Sequence, residues 1–132
     1  SFPTRPSSGL HLIWMGADPL ACIDELGSAI YHVHAKDTSI NKAKTAVNSL
    51  LETKLVAGPA ARSWSYVTLG YGQDELWWKQ FCYRLRLVGY DDVLSIEHED
   101  PLLSRREGIQ TSVDLLLRCI AVEPSDYTLP SI

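Results

Sequence analysis

Apolar runs of five or six residues alternate along this chain with longer stretches whose apolar residues recur at helical spacing. That order restricts the fold more than any other feature. Leu10-His11-Leu12-Ile13-Trp14 is the first short run and reads as a buried strand. Asp18 and Pro19 follow. An Asp can cap the free N–H groups of a first helical turn, and Pro suits the first helical position. Leu20, Ile23 and Leu26 then repeat at helical spacing, with Gly27 as the stop. A second strand spans Ala29 to His34, with Ile30, His32 and His34 on one face and Tyr31 and Val33 on the other. Large groups on both faces suit a strand buried on two sides.

Residues 38–70 read as a long excursion before the next clear helix. Within it Lys42 to Leu51 fits a helix with Ala43, Val47, Leu50 and Leu51 inward, Gly58-Pro59 breaks the pattern, and Trp64 to Val67 is extended. From Asp74 the helical signal returns. Trp78, Phe81, Cys82 and Leu85 form one face of a helix that runs to Val88 and closes at Gly89. Trp77 and Trp78 read as packing residues rather than a sugar platform. Asp92 to Glu97 is a third strand. Ser104-Arg105-Arg106-Glu107 has capping-box spacing and opens a helix with Ile109, Val113, Leu116 and Ile120 on its apolar stripe, ended by Pro124. Strand, helix, strand, excursion, helix, strand, helix is the order of an α/β fold with parallel strands.

The 132 residues suit a single domain over 1–132. A net charge of −4 argues against a nucleic-acid partner, which requires clustered positive charge. No apolar run approaches the roughly 20 residues that span a bilayer, so no membrane role is expected. The start, Ser1-Phe2-Pro3, lacks an initiator Met and an apolar targeting core, and reads as cut rather than targeted. Cys22, Cys82 and Cys119 form no Cys-x-x-Cys motif and read as free thiols in a reducing cytoplasm.

The chemistry-bearing residues stand at the downstream strand ends. His34 closes the second strand, ahead of Lys36 and Asp37, and Glu97 closes the third, ahead of His98, Glu99 and Asp100. Ligands of parallel α/β folds bind beyond the carboxyl ends of strands. A buried ionisable group is expensive unless paired or bound to a metal. His34 and Glu97 are therefore candidate ligands of a divalent ion. The plainer readings are a structural histidine at 34 and a solvated carboxylate at 97, while His32 reads as a packed or hydrogen-bonded side chain.

His32-Val33-His34-Ala35-Lys36-Asp37, then Gly70-Tyr71-Gly72, then Gly89-Tyr90-Asp91 and Ser95-Ile96-Glu97-His98-Glu99-Asp100-Pro101 occur in this order. Together they resemble the C-terminal part of the sugar phosphate isomerases/epimerases of the xylose isomerase-like group. The resemblance runs from about Leu10 to Ala121. It implies a (β/α)8 TIM barrel, of which this chain carries the last three βα units as an incomplete barrel. It also implies one divalent metal, Mn, Mg, Co or Zn, held by Glu, Asp, His and Glu. The last two carry over to His34 and Glu97. His11 matches a substrate-facing His, but Ser8 stands where its companion Asp ligand is expected, and the first Glu lies upstream of the chain. With two of four ligands, the chain alone is expected to hold metal weakly.

The implied chemistry is proton transfer next to the carbonyl of a sugar or sugar phosphate, through an enediolate. Glu97 acts as catalytic carboxylate and metal ligand, His11 as a hydrogen-bond donor to substrate, and Lys36 and Asp37 as substrate contacts. A complete barrel needs eight units and roughly 250 residues. Three units leave strand edges that invite pairing, so a chain supplying the missing strands, or self-association, is expected. The alternative is a non-catalytic interaction domain derived from a barrel. A metal-dependent abasic-site endonuclease fits poorly with the acidic balance.

Overall fold

The structure, a computed structural model, describes residues 11–54, 58–128 and 130. Its first element corrects the sequence reading. The run expected as a strand is a single helical turn, α1 (His11–Trp14), and Leu10 lies outside the described residues. A strand needs a neighbour to satisfy its backbone groups, and none pairs with this run among the described residues. The chain bonds to itself instead. The N–H groups of Met15, Gly16 and Ala17 donate to the carbonyls of His11, Ile13 and Leu12, and Gly16 takes the positive φ of 85° that the reversal requires.

The next helix, α2 (Pro19–Leu26), begins as its sequence dictates. Asp18 accepts from the Leu20 N–H at 2.9 Å, Pro19 fills the first helical position, and Gly27 closes the helix at a φ of 51°. After it come β1 (Val33–Ala35), β2 (Asp37–Ile40) and α3 (Lys42–Asn48). Then follow β3 (Trp64–Val67), α4 (Glu75–Leu87), β4 (Leu94–Ile96) and α5 (Arg105–Cys119). β1 and β4 form a parallel pair, and β2 and β3 an antiparallel one. The fold is mixed α/β. The excursion is a broad antiparallel hairpin inserted between the two parallel strands.

Only one face of β1 is fully covered, in contrast to the expected burial on both. Val33 and Ala35 point into a core with Leu20, Ile23, Trp78, Phe81, Leu85, Leu115 and Leu116, supplied by α2, α4 and α5. Trp78 and Phe81 are its largest members, as their helical spacing requires, and Trp77 stacks on Phe81 at 5.4 Å between centroids. The other face of β1 carries half-exposed His34.

One helix presents a different face from the one its apolar pattern suggests, and α5, which buries Leu116 and packs Ile120 on the core as expected, departs at Ile109. In α3 no residue is buried, and Val47 and Leu51, expected inward, are 83% and 86% exposed. Polar contacts hold that excursion. Glu52 accepts from the Ser63 N–H at 2.7 Å and its hydroxyl at 3.0 Å, and Trp64 Nε1 donates to the Leu50 carbonyl. In α5 the buried residues are Gly108, Ser112, Leu115 and Leu116, whereas Ile109 is exposed. The His98 ring packs so closely on Gly108 that a Cβ there would overlap it. Ser112 Oγ donates to the Gly108 carbonyl at 2.8 Å, so small residues take the inward face. No described helix is long and apolar enough to cross a membrane. All three cysteines are free, and burial pushes the Cys82 thiol up to about 12.

Asp100 ties the segment after β4 to the end of β3. It accepts from the Thr68 N–H and hydroxyl at 2.8 and 2.9 Å, and from the N–H groups of Leu102 and Leu103. Burial alone would raise its pKa. The donors from Leu102, Thr68 and Leu103 outweigh burial and hold the carboxyl below its ordinary value. A depressed folded pKa gives stability that is present above the unfolded value, near 4, and lost as pH falls through the folded one. Asp100→Asn is therefore expected to flatten the acid limb of the stability profile. Melting temperatures taken from about pH 3 to 6 check it.

Candidate functional site

Strand register brings the candidate residues together. His34 stands level with Ser95 and Ala35 with Ile96. Alternation then places Ser95 and Glu97 on the face that carries His34. The Glu97 N–H donates to the Ala35 carbonyl at 3.0 Å, extending the ladder beyond β4. As a result His34 Nδ1 lies 2.6 Å from Glu97 Oε1 at the downstream rim of the parallel pair. His32 flanks it, with its ring centroid 4.7 Å from that of His34 and its Nε2 3.0 Å from Ser95 Oγ.

Lys36 lies beside Glu97 with its side chain 3% exposed. Its Nζ lies 3.2 Å from Glu97 Oε2, 3.1 Å from Glu99 Oε1 and 3.8 Å from the centre of the Tyr66 ring. An ammonium so deeply buried requires such partners, and the aromatic face adds a favourable quadrupole contact. Two carboxylates around one ammonium leave the cluster with surplus negative charge. Tyr66 in turn reaches His11, with its hydroxyl 2.9 Å from Nδ1. Trp64 packs edge-on to Tyr66 and stacks on Trp14 at 4.8 Å. A continuous line of contacts thus runs from His11 through Tyr66, Lys36 and Glu97 to His34.

Asp37, expected to touch substrate, is placed differently. It is fully buried, and its carboxylate accepts from the N–H groups of Thr38, Gly70, Gly72 and Gln73 at 2.8 to 3.1 Å. Burial pushes its carboxyl up from the ordinary value, while those donors pull it down. Its acceptors are taken by the 70–73 turn, so its task in this structure is to fasten that turn. Tyr66 and Glu99 are the residues around Lys36 that sequence reasoning missed. The run from Trp64 to Val67 is legible as extended, but only its pairing with β2, with Tyr66 opposite Thr38, carries the phenol to Lys36.

The donor set fits part of a cation site. His34 Nδ1 is buried and faces the Glu97 carboxylate at 2.6 Å, a distance at which a shared hydrogen joins the two groups when no ion is present. An imidazole nitrogen and a carboxylate are also the kinds of donor a divalent ion takes. They are two of the four ligands the resemblance implies. Ser8 lies outside the described residues. Among the described residues, no three His, Cys, Asp or Glu side chains gather to hold a metal.

No family model matches the chain. Over 111 residues, 84% of its length, it is 51% identical to the uncharacterized protein YfiH of Bacillus subtilis (strain 168). The matched stretch is 36% of that protein, so the chain spans about a third of the length of the curated relative it matches.

Proposed function

We propose that this chain forms the C-terminal part of a metal-dependent isomerase or epimerase of sugars or sugar phosphates, built on a (β/α)8 barrel. The observation that carries the reading is the meeting of the His34 imidazole and the Glu97 carboxylate at the downstream rim of two parallel strands. The relative's length also supports it. A matched stretch that is 36% of the whole makes YfiH a protein of roughly 300 residues, within the usual size range of such a barrel. An apolar groove lined by Leu87, Leu94, Ile96, Val113, Leu117 and Ile120 gives further barrel units a surface to cover. Three free thiols suit the cytoplasm.

In this reading His34 and Glu97 hold the ion, together with donors from outside the described residues. A divalent cation, when bound, supplies Lewis-acid stabilisation of negative charge on the substrate's oxygens. Glu97 removes the proton from the carbon next to the carbonyl. The electron pair moves into the enediolate; for isomerisation the proton returns to the neighbouring carbon, and for epimerisation a second carboxylic acid on the opposite face, from outside the described residues, delivers a proton there while Glu97 keeps the one it took. Lys36 fixes the Glu97 carboxylate through Oε2 and keeps its charge compensated. His11 donates a hydrogen bond to a substrate oxygen.

Solvent-deuterium exchange tests the reading. A full-length protein carrying this sequence, with Mn²⁺ and a panel of ketoses and ketose phosphates in D₂O, is expected to place deuterium on the carbon next to the carbonyl. An unlabelled panel overturns the assignment. The 132-residue chain alone is expected to bind Mn²⁺ weakly, because His34 and Glu97 are the two donors gathered among the described residues. Tight stoichiometric binding in a calorimeter would contradict that.

A further inference from the structure

We propose that Tyr66 and Trp14 fix His11 in the tautomer that carries its hydrogen on Nε2, which makes His11 a one-way donor toward an oxygen acceptor. Two groups converge on one ring nitrogen. The Tyr66 hydroxyl lies 2.9 Å from His11 Nδ1, and Trp14 Nε1 lies 3.4 Å from the same atom. A phenol can donate or accept, so its contact alone leaves the tautomer open. An indole N–H only donates. Nδ1 is therefore the acceptor, and its one lone pair is shared between the nearer Tyr66 hydroxyl, which then also donates, and the more distant indole. The ring hydrogen of the neutral imidazole is left on Nε2, which has no hydrogen-bond partner among the described residues.

The fold supplies both donors. Trp14 reaches back across a single turn of α1, and its indole is clamped by stacking on Trp64 at 4.8 Å and 9°. Tyr66 sits on β3 between Trp64, in edge contact at 5.1 Å, and the Lys36 ammonium above its ring. Neither side chain is free to leave Nδ1 without disturbing this stack. Both are positioning residues that act through His11. An imidazole set this way offers a hydrogen bond and cannot accept one at Nε2. It selects a carbonyl or ionised oxygen over an ammonium or amide N–H. That selectivity suits an enediol-forming reaction, and this last step rests on the function proposed above.

Long-range ¹H–¹⁵N spectra of the ¹⁵N-histidine-labelled chain at about pH 8, above the ordinary imidazole range, test the tautomer. His11→Gln assigns the signals by their loss. The expected result is one set of His11 signals with protonated Nε2 and bare Nδ1. A hydrogen on Nδ1, or an averaged pair, overturns the proposal. Tyr66→Phe, which keeps the ring and its packing, is expected to shift the tautomer ratio roughly fivefold toward Nδ1–H, the worth of one neutral hydrogen bond. Tyr66→Phe with Trp14→Phe is expected to give an averaged pair, and an unchanged Nε2–H pattern in that double variant also overturns it. These readouts need no substrate. A confirmed tautomer beside an unlabelled deuterium panel would reject the isomerase reading alone, and the reverse would reject this proposal alone.

Discussion

Replacing Glu97 by Gln in a full-length protein carrying this sequence is expected to lower deuterium incorporation about a thousandfold while leaving the fold intact. The amide keeps the volume of the side chain but loses the charge and the basic oxygens. Glu97 sits where both matter, with Oε1 2.6 Å from His34 Nδ1 and Oε2 3.2 Å from Lys36 Nζ. Loss of a positioned general base costs about two to four orders of magnitude in rate. Stability is expected to change little, because Lys36 keeps Glu99 at 3.1 Å and the Tyr66 ring. Initial rates in D₂O, with a melting curve as control, check the result. Turnover within tenfold of the parent protein, with an unchanged melting temperature, would remove Glu97 from the chemistry.

The largest stability effect is expected at Asp37. Asp37→Ala removes the one acceptor shared by the N–H groups of Thr38, Gly70, Gly72 and Gln73, fully buried at Thr38 and partly buried across the turn. Each unsatisfied buried donor costs about 1–3 kcal/mol, although relaxation and water entry recover part of the sum. A loss of about 3–5 kcal/mol is expected, as when one partner of a buried charged network is removed. That is a large share of the total stability of a domain this size, which is typically about 5–15 kcal/mol. Urea unfolding of the chain measures it through a lower midpoint at an unchanged slope. A loss below about 1 kcal/mol would mean that the turn finds other acceptors.

The same turn explains two glycines. Gly70 adopts a φ of 93°, and a methyl group on Gly72 would overlap the Thr38 carbonyl and the Asp37 carboxylate. Asp37 and Gly70-Tyr71-Gly72 are therefore one device, a carboxylate and the turn folded around it. Their presence is visible in the sequence, but their mutual contact is not, because the excursion separates them. Chemistry at a strand end was the natural reading of an Asp beside Lys36. Four backbone donors converging on it point instead to a structural role.

Local signals determined much of this chain. Asp18-Pro19 and Ser104 start helices where caps of their type must, and Gly27 and Gly89 end helices at positive φ. The Trp78, Phe81, Cys82 and Leu85 stripe is buried as its period requires. His34 and Glu97 were expected to close their strands; His34 instead falls in the middle of β1 and Glu97 one residue beyond β4, though both lie on one face as alternation requires. What depended on distant partners was decided by the tertiary structure. Residues 11–14 form a helical turn because no strand pairs with them among the described residues, although β3 packs against their side chains, and α5 sets Gly108 inward because His98 occupies the space above it. Tyr66 reaches Lys36 because β3 pairs with β2 in a register that the intervening residues do not encode. Periodicity reports what a segment is able to bury, whereas which face it does bury is set by the shape and polarity of whatever packs against it.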